Sequence, residues 1–140
     1  MAKLNAAARQ LINSGALAHL VTLNEDGSPQ IALVWVGIDG DDLVCGHLDP
    51  RQRKLANLRR DPRVAVSFEA GTTNDYGMRD YLVVHGTAEI TEGGAAELLG
   101  TLAKTYIGPD AVFPPMPNPP AGFITRIRIN RIAGAGDWAD

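Results

Sequence analysis

The stretch DPRQRKLANLRRDPRVAV, residues 49–66, combines the signals of a short basic helix with the start of a strand. Of the chain's 13 Lys and Arg residues, 6 lie between Arg51 and Arg63, where Asp61 is the only acid. We call residues 51–63 the basic segment. Because the whole chain has a net charge of −3, positive charge gathered in one place predicts a site for an anion there.

Local signals predict a helix across the basic segment. Asp49 is a suitable N-cap, and Pro50 suits the first helical position because its missing N–H would be unpaired there in any case. Asp61 precedes a proline, and the residue before proline is disfavoured in the α region, so the helix is expected to end there. Leu55 and Leu58, three residues apart, give it a narrow apolar stripe to bury.

Basic side chains are predicted to surround the N-terminus of this helix. Arg51 falls in the first turn, and Lys54 flanks the apolar stripe. Arg53, Asn57 and Arg60 are expected on the opposite side. Since free N–H groups and the helix dipole already favour an anion at this end, phosphate is the natural guest. A solvated helix face and a structural cluster of ion pairs remain as alternatives.

Length, composition and net charge limit the classes of protein to which this chain can belong. At 140 residues, with 45% hydrophobic and 21% charged residues, the chain is expected to form one globular domain over residues 1–140. It lacks a signal-peptide pattern and any apolar run near the roughly 18 residues that span a membrane, so a cytoplasmic protein is expected. The single cysteine, Cys45, gives no disulfide or zinc spacing. The negative net charge argues against nucleic-acid binding.

Alternating apolar residues and turn signals predict a mostly β fold of the α+β class. Besides the basic helix, helices are expected at 4–14 and 94–106. Six strands are expected at 17–23, 30–36, 43–48, 64–69, 81–91 and 123–132. Gly86, inside the fifth strand, predicts a bulge or a close backbone approach. Six of the 9 prolines fall within residues 108–122, which are expected to run over the surface. The pattern favours an antiparallel β-barrel with a few packed helices.

Four motifs resemble the pyridoxamine 5′-phosphate oxidase-like split β-barrel flavoproteins: GSPQIALVWV (27–36), IDGDDLVC (38–45), RKLANLRRDPRVAV (53–66) and VVHGTAEI (83–90). Within that superfamily the chain looks most like the small oxidoreductases that depend on the deazaflavin coenzyme F420. The resemblance covers roughly residues 5–106 and returns at the last strand, and residues 54–63 are its most specific part.

The resemblance implies a homodimer with two cofactor sites at the subunit interface, each built from both chains. It implies that Lys54 holds the cofactor's phosphate, with Arg51, Arg53 and Asn57 nearby. It also implies that the cofactor ring lies against the second and third strands, and that a C-terminal aromatic residue approaches it. The ring contacts carried over in this way are Val34, Trp35, His47 and Trp138.

The chain also departs from the family pattern. True pyridoxamine phosphate oxidases carry an Arg- and His-containing motif near the C-terminus, whereas this chain ends in GAGDWAD, so that activity is not expected. Gln52 stands where an Arg is common in relatives. Trp35 has a core or dimer-interface role as its alternative, and His19, His85 and Cys45 are expected to be structural.

Three functions follow from these observations. The first is an F420-dependent reductase that transfers hydride to a small conjugated or aromatic molecule, because surplus positive charge suits a phosphate followed by an acidic oligoglutamate tail. The second is an FMN-dependent oxidoreductase. The third is a non-catalytic flavin- or F420-binding protein, since the sequence shows no nucleophile set, metal spacing or assignable catalytic residue.

Overall fold

The computed structural model describes residues 2–138. Within this range the chain forms three helices, α1 (Ala6–Asn13), α2 (Arg53–Arg60) and α3 (Ala95–Tyr106). It forms seven strands, β1 (Ala18–Leu23), β2 (Pro29–Val34), β3 (Gly37–Asp39), β4 (Asp42–His47), β5 (Arg63–Thr73), β6 (Arg79–Glu92) and β7 (Phe123–Ala135).

The strands form an antiparallel sheet in the order β2-β1-β5-β6-β7-β4-β3. Its two edge strands, β2 and β3, are consecutive in the chain and are joined only by Trp35 and Val36. Because two residues span only about 7 Å, the sheet must curl until its edges meet at this link. The predicted mostly β fold with packed helices is therefore confirmed. β2 and β3 do not pair with each other, so the barrel is open between them at this link, and we call this opening the split.

Alternation along the strands directs one set of side chains into the barrel. On β5, Val64, Val66 and Phe68 are buried, as the period-two pattern predicted. Residues of α1 close the same core, where Ala8 and Ile12 are fully buried.

The basic helix begins later than predicted. Asp49 does not cap it; the Asp49 carboxylate accepts the backbone N–H of Arg51 at 2.9 Å, which closes a local turn. The helix begins at Arg53, and its N-cap residue, Gln52, makes no side-chain capping bond. An aspartate before proline favours such a turn as well as a helix cap, and in this chain Asp49 forms the turn. The predicted end at Asp61 is confirmed.

Two further differences concern the strands. The sequence predicts no strand between residues 36 and 43, yet the short strand β3 forms there; three residues are too few for an alternation signal. The sequence predicts that the fourth strand ends at residue 69 and the fifth begins at residue 81, whereas β5 continues to Thr73 and β6 begins at Arg79, so a hairpin turn joins them. The Asn74 side-chain oxygen accepts the N–H groups of Tyr76 and Met78 at 2.9 and 3.0 Å and fixes this turn.

The expected irregularity at Gly86 is confirmed. The pairing register of β6 with β7 shifts between His85 and Gly86. Residues 108–122 contain neither helix nor strand, as the prolines predicted. None of the helices within residues 2–138 is both long and apolar enough to cross a membrane.

Candidate functional site

A cavity of about 320 Å³ opens between β2, the end of β4, the start of α2 and α3. This volume lies at the lower end of the range for small-molecule sites, about 300–1,000 Å³. The lining residues are Leu33, Val34, Trp35, Gly46, His47, Leu48, Asp49, Gln52, Lys54, Leu99 and Phe113. The fold thus brings together four of the site residues predicted from sequence, namely Val34, Trp35, His47 and Lys54.

The close approach of α3 to the sheet gives the cavity one of its walls. A Cβ atom at Gly46 would lie 3.0 Å from Cγ of Leu99 and 3.3 Å from the carbonyl oxygen of Ala95. Glycine at this position of β4 therefore lets the helix pack directly on the strand. Leu99 reaches the cavity as a result, although its own place on an amphipathic helix gave no signal of this.

Lys54 is the cation of this cavity. Its side chain is half-buried, and burial lowers the pKa of its ammonium group. No carboxylate within the described chain forms an ion pair with it. Lys54 also lines an adjoining cavity of about 260 Å³ together with Gln30, Ala32, Gln52 and Arg53. A partly desolvated cation without a counter-charge is expected to attract an anion.

Most of the remaining basic segment is engaged by the chain itself. Its contacts are Arg51 with Asp49 at 3.1 Å, Arg63 with Asp61 at 2.7 Å, Arg60 with the carbonyl oxygen of Leu23, and Arg59 over the ring of Phe123 at 5.2 Å. The pKa of the Asp61 carboxyl falls to about 2 because Arg63 donates hydrogen bonds to it. The alternative of structural ion pairs therefore holds for Arg51 and Arg63, while Arg59 and Arg60 are engaged by other contacts within the chain. Arg53 is exposed and has no such partner among residues 2–138.

Asn57 does not lie on the solvent side of α2, and that prediction is wrong. Its side chain is buried, and its amide nitrogen donates to Oγ1 of Thr22 and Oδ1 of Asn24, both at 3.0 Å. Both amide hydrogens are thus used inside the chain. Asn57 anchors α2 on β1 and so fixes where Lys54 stands.

His47 lies at the end of β4 with only 2% of its surface exposed. Burial, followed by the nearby charge of Lys54, lowers the pKa of His47 to about 4, so the ring is neutral at pH 7. Its Nε2 atom is 2.8 Å from Oγ1 of Thr125, whereas its Nδ1 atom is buried without a partner. Oε1 of Gln52 is likewise buried and unpaired. Unpaired buried polar atoms cost about 1–3 kcal/mol each, so their position beside a cavity fits a ligand with a polar edge.

Trp35 forms the aromatic wall at the split. Its ring stacks on Tyr106, with centroids 5.5 Å apart, and meets Phe113 edge-on at 5.1 Å. The Tyr106 hydroxyl accepts the N–H of Val36 at 3.0 Å, which ties α3 to the link between the edge strands. Phe113 comes from the proline-rich segment, where no periodic pattern marks a residue for a site, so sequence reasoning missed it.

The structure does not bring Trp138 to this cavity. Its indole is 8% exposed, packs with the barrel core and donates from Nε1 to the carbonyl oxygen of Tyr81 at 2.8 Å. Arg51 and Arg53 lie outside the larger cavity as well. The two residues after Trp138 in the C-terminal tail lie outside the described residues.

We expect acidification from pH 7 to pH 4 to remove about 3 kcal/mol of folding stability through His47. The pKa of His47 is about 4 in the folded state and about 6.5 in an unfolded chain. The unfolded state therefore takes up a proton first, and stability falls as the pH drops through this window. Urea denaturation at several pH values measures the effect. His47→Gln should flatten the curve between pH 6.5 and 4; an unchanged slope in His47→Gln would contradict the assignment.

The family model described as pyridoxamine 5′-phosphate oxidase matches residues 4–134. A solved structure of an F420 reductase is 28% identical, with a TM-score of 0.70 over 89% of this chain and 94% of that one. A conserved hypothetical protein from Mycobacterium tuberculosis is 24% identical, with a TM-score of 0.72 over 99% and 84%. An FMN-binding protein from Syntrophomonas wolfei is 18% identical, with a TM-score of 0.66 over 94% and 86%. The last two likenesses show the fold alone.

Proposed function

Because this chain belongs to the pyridoxamine 5′-phosphate oxidase family, we propose that it is an oxidoreductase that uses coenzyme F420 to reduce a small conjugated or aromatic molecule. The observation that carries the proposal is Lys54, a half-buried cation that forms no ion pair in the described chain, in a cavity whose lining includes two residues with unpaired buried polar atoms. The 28% identity with a structure of an F420 reductase supports the choice of cofactor.

The residues of the cavity fit such a cofactor. Lys54 would hold the phosphate, as a charge-assisted contact that the chain itself leaves unused. Trp35 and Phe113, held rigidly against each other, would support the flat ring on their apolar surface. The adjoining cavity leads from Lys54 to the exposed Arg53. This continuation suits an acidic tail beyond the phosphate and favours F420 over a cofactor that ends there.

When bound, the cofactor would supply hydride to an activated double bond, and the protein would supply position and environment. Lys54 would hold the anionic end of the cofactor. The Leu33, Leu99 and Phe113 side chains give the cavity an apolar lining against which the ring would pack. His47 remains neutral at pH 7 and adds no charge beside the ring.

A homodimer is part of the proposal. On the outer face of β2, Ile31 and Leu33 are 61% and 59% exposed, and Leu33 also lines the cavity. Exposed branched side chains next to each other on one edge strand are a liability for a monomer. A second copy of the chain that covers this face would also close the open side of the cavity, in line with the resemblance.

An FMN-dependent enzyme is the second candidate. Within the larger cavity, Lys54 is the only Lys or Arg among the lining residues, and a single cation suits a cofactor that carries one phosphate and nothing beyond it. The two candidates differ in the use of Arg53, which only the longer cofactor would need.

Titration of the purified protein with F420 and with FMN, side by side, tests the proposal. Quenching of tryptophan fluorescence is a suitable signal because Trp35 lines the cavity. We expect F420 to bind at least tenfold more tightly, with one molecule per chain, to a species whose mass by light scattering equals two chains. Stoichiometric FMN in the purified protein that F420 does not displace would overturn the choice of cofactor, and a monomer would overturn the dimer.

A further inference from the structure

Two polar atoms in the described chain, Nδ1 of His47 and Oε1 of Gln52, are buried without a hydrogen-bond partner. Both residues line the same cavity. Elsewhere the chain satisfies such groups, as the paired side chains of Thr22 and Asn57 show. Since native proteins pair nearly all buried polar atoms, two unpaired atoms at one cavity indicate a ligand that pairs them.

The hydrogen bond to Thr125 decides which nitrogen of His47 carries the proton. Thr125 is fully buried on β7, and its hydroxyl has one partner within residues 2–138, Nε2 of His47 at 2.8 Å. If Nε2 carried the hydrogen, the Thr125 hydroxyl hydrogen would have no acceptor. The satisfied arrangement has Thr125 donating to Nε2, and in a neutral imidazole the hydrogen then resides on Nδ1. His47 therefore offers the cavity a donor.

Gln52 offers the cavity an acceptor. It occupies the N-cap position of α2, yet its side chain makes no capping bond; Gln52 lines the cavity, and its Oε1 atom is buried without a partner. One donor and one acceptor at the same cavity complement a carbonyl next to an N–H. The pyrimidinedione ring that flavins and deazaflavins share has an imide N–H between two carbonyl groups.

We infer that His47 and Gln52 are positioning residues that hold the imide edge of the bound ring, His47 donating from Nδ1 to a ring carbonyl and Gln52 accepting the ring N–H through Oε1. The inference rests on the proposed function and goes beyond it, because it assigns the orientation of the ring. It also predicts selection against flat aromatic molecules that lack an imide. A substrate amide would present the same chemistry, so the test uses the cofactor without substrate.

Two substitutions of His47 separate the donor from the contact with Thr125. The terminal amide of Gln falls near the former Nε2, so His47→Gln keeps a partner for Thr125 and removes the unpaired donor at Nδ1. The shorter amide of Asn falls near the former Nδ1, so His47→Asn keeps the donor and gives up the Thr125 contact. For both F420 and FMN we expect His47→Gln to raise the dissociation constant about tenfold and His47→Asn by less than about threefold.

A purely structural His47 would give a different order. Equal affinity of wild type and His47→Gln, or a weaker His47→Asn than His47→Gln, would overturn the inference. Methylation of the imide nitrogen in a flavin should weaken its binding to the wild-type protein about tenfold. The same methylation should hardly change binding to the Gln52→Leu variant, which has already lost the acceptor. An equal loss in both proteins would remove Gln52 from the assignment.

The tautomer is measurable in the protein without ligand. Nitrogen-15 chemical shifts of the His47 ring should show a protonated Nδ1 and an unprotonated Nε2, and the reverse pattern would overturn the inference whatever the cofactor. If FMN bound with the expected dependence on His47 and F420 did not, the choice of F420 would fall while this inference stood. If neither bound wild type, both would fall.

Discussion

Replacement of Lys54 by methionine is expected to raise the dissociation constant of the cofactor between about 10- and 100-fold. Methionine keeps most of the half-buried aliphatic stem and removes only the charge, so packing of α2 on the barrel is preserved. The lost interaction is a charge-assisted hydrogen bond in a partly desolvated place, which is the strong kind. Calorimetric titration with F420 and with FMN at two salt concentrations measures it.

Arg63→Met is the matched control. It removes one positive charge from the same basic segment, but Arg63 is exposed and already paired with Asp61 at 2.7 Å. We expect its effect on either dissociation constant to be less than about twofold, since screened surface charges contribute little. An equal loss in both variants would mean that the segment acts through net charge alone. No loss in Lys54→Met would remove the phosphate role.

The sequence was sufficient for the barrel because its strands repeat a local rule. Val64, Val66 and Phe68 alternate with polar or small residues, and the same period recurs in the other long strands, so burial on one face follows from spacing alone. β3 could not be predicted from this alternation because it has only three residues. Its pairing depends on β4 rather than on its own composition.

The site was less predictable because its details are decided by competition between local contacts. Asp49 had two partners available, a helix N-terminus and the Arg51 backbone, and the sequence does not rank them. Asn57 was expected to be exposed because it is polar, yet Thr22 on β1 and Asn24 just after it accept its hydrogen bonds in the interior. Only the tertiary structure brings these residues together.

The walls of the cavity depend on contacts between distant segments. Leu99 reaches it because Gly46 lets α3 approach β4, and Phe113 because its ring meets Trp35. Trp138, which the resemblance implied as a ring contact, instead packs in the core and donates a hydrogen bond to the carbonyl oxygen of Tyr81. Residue type suggested Trp138 as a candidate and gave no signal for Leu99 or Phe113, because the tertiary contacts of each side chain determine whether it lines the cavity.

Gly86→Ala is expected to lower the free energy of unfolding by about 4 kcal/mol, at the upper end of the range for single substitutions. A Cβ atom at Gly86 would lie 2.5 Å from the carbonyl oxygen of Arg128 and 2.6 Å from Cγ2 of Ile127. The first is backbone of the neighbouring strand and the second belongs to a fully buried side chain, so neither can move aside cheaply. The register shift between β6 and β7 at this point depends on that approach.

Gly71→Ala is the matched control, because Gly71 lies on β5, is exposed, and has no atom within 4 Å of an added Cβ. Removing a glycine there restricts mainly the unfolded chain, so a gain of about 0.4–1 kcal/mol is expected. Urea denaturation of the two variants and wild type gives both values. If Gly86→Ala lowered the free energy of unfolding by less than about 1 kcal/mol, β6 and β7 would be able to move apart at the bulge at little cost. That result would contradict the tight packing at Gly86.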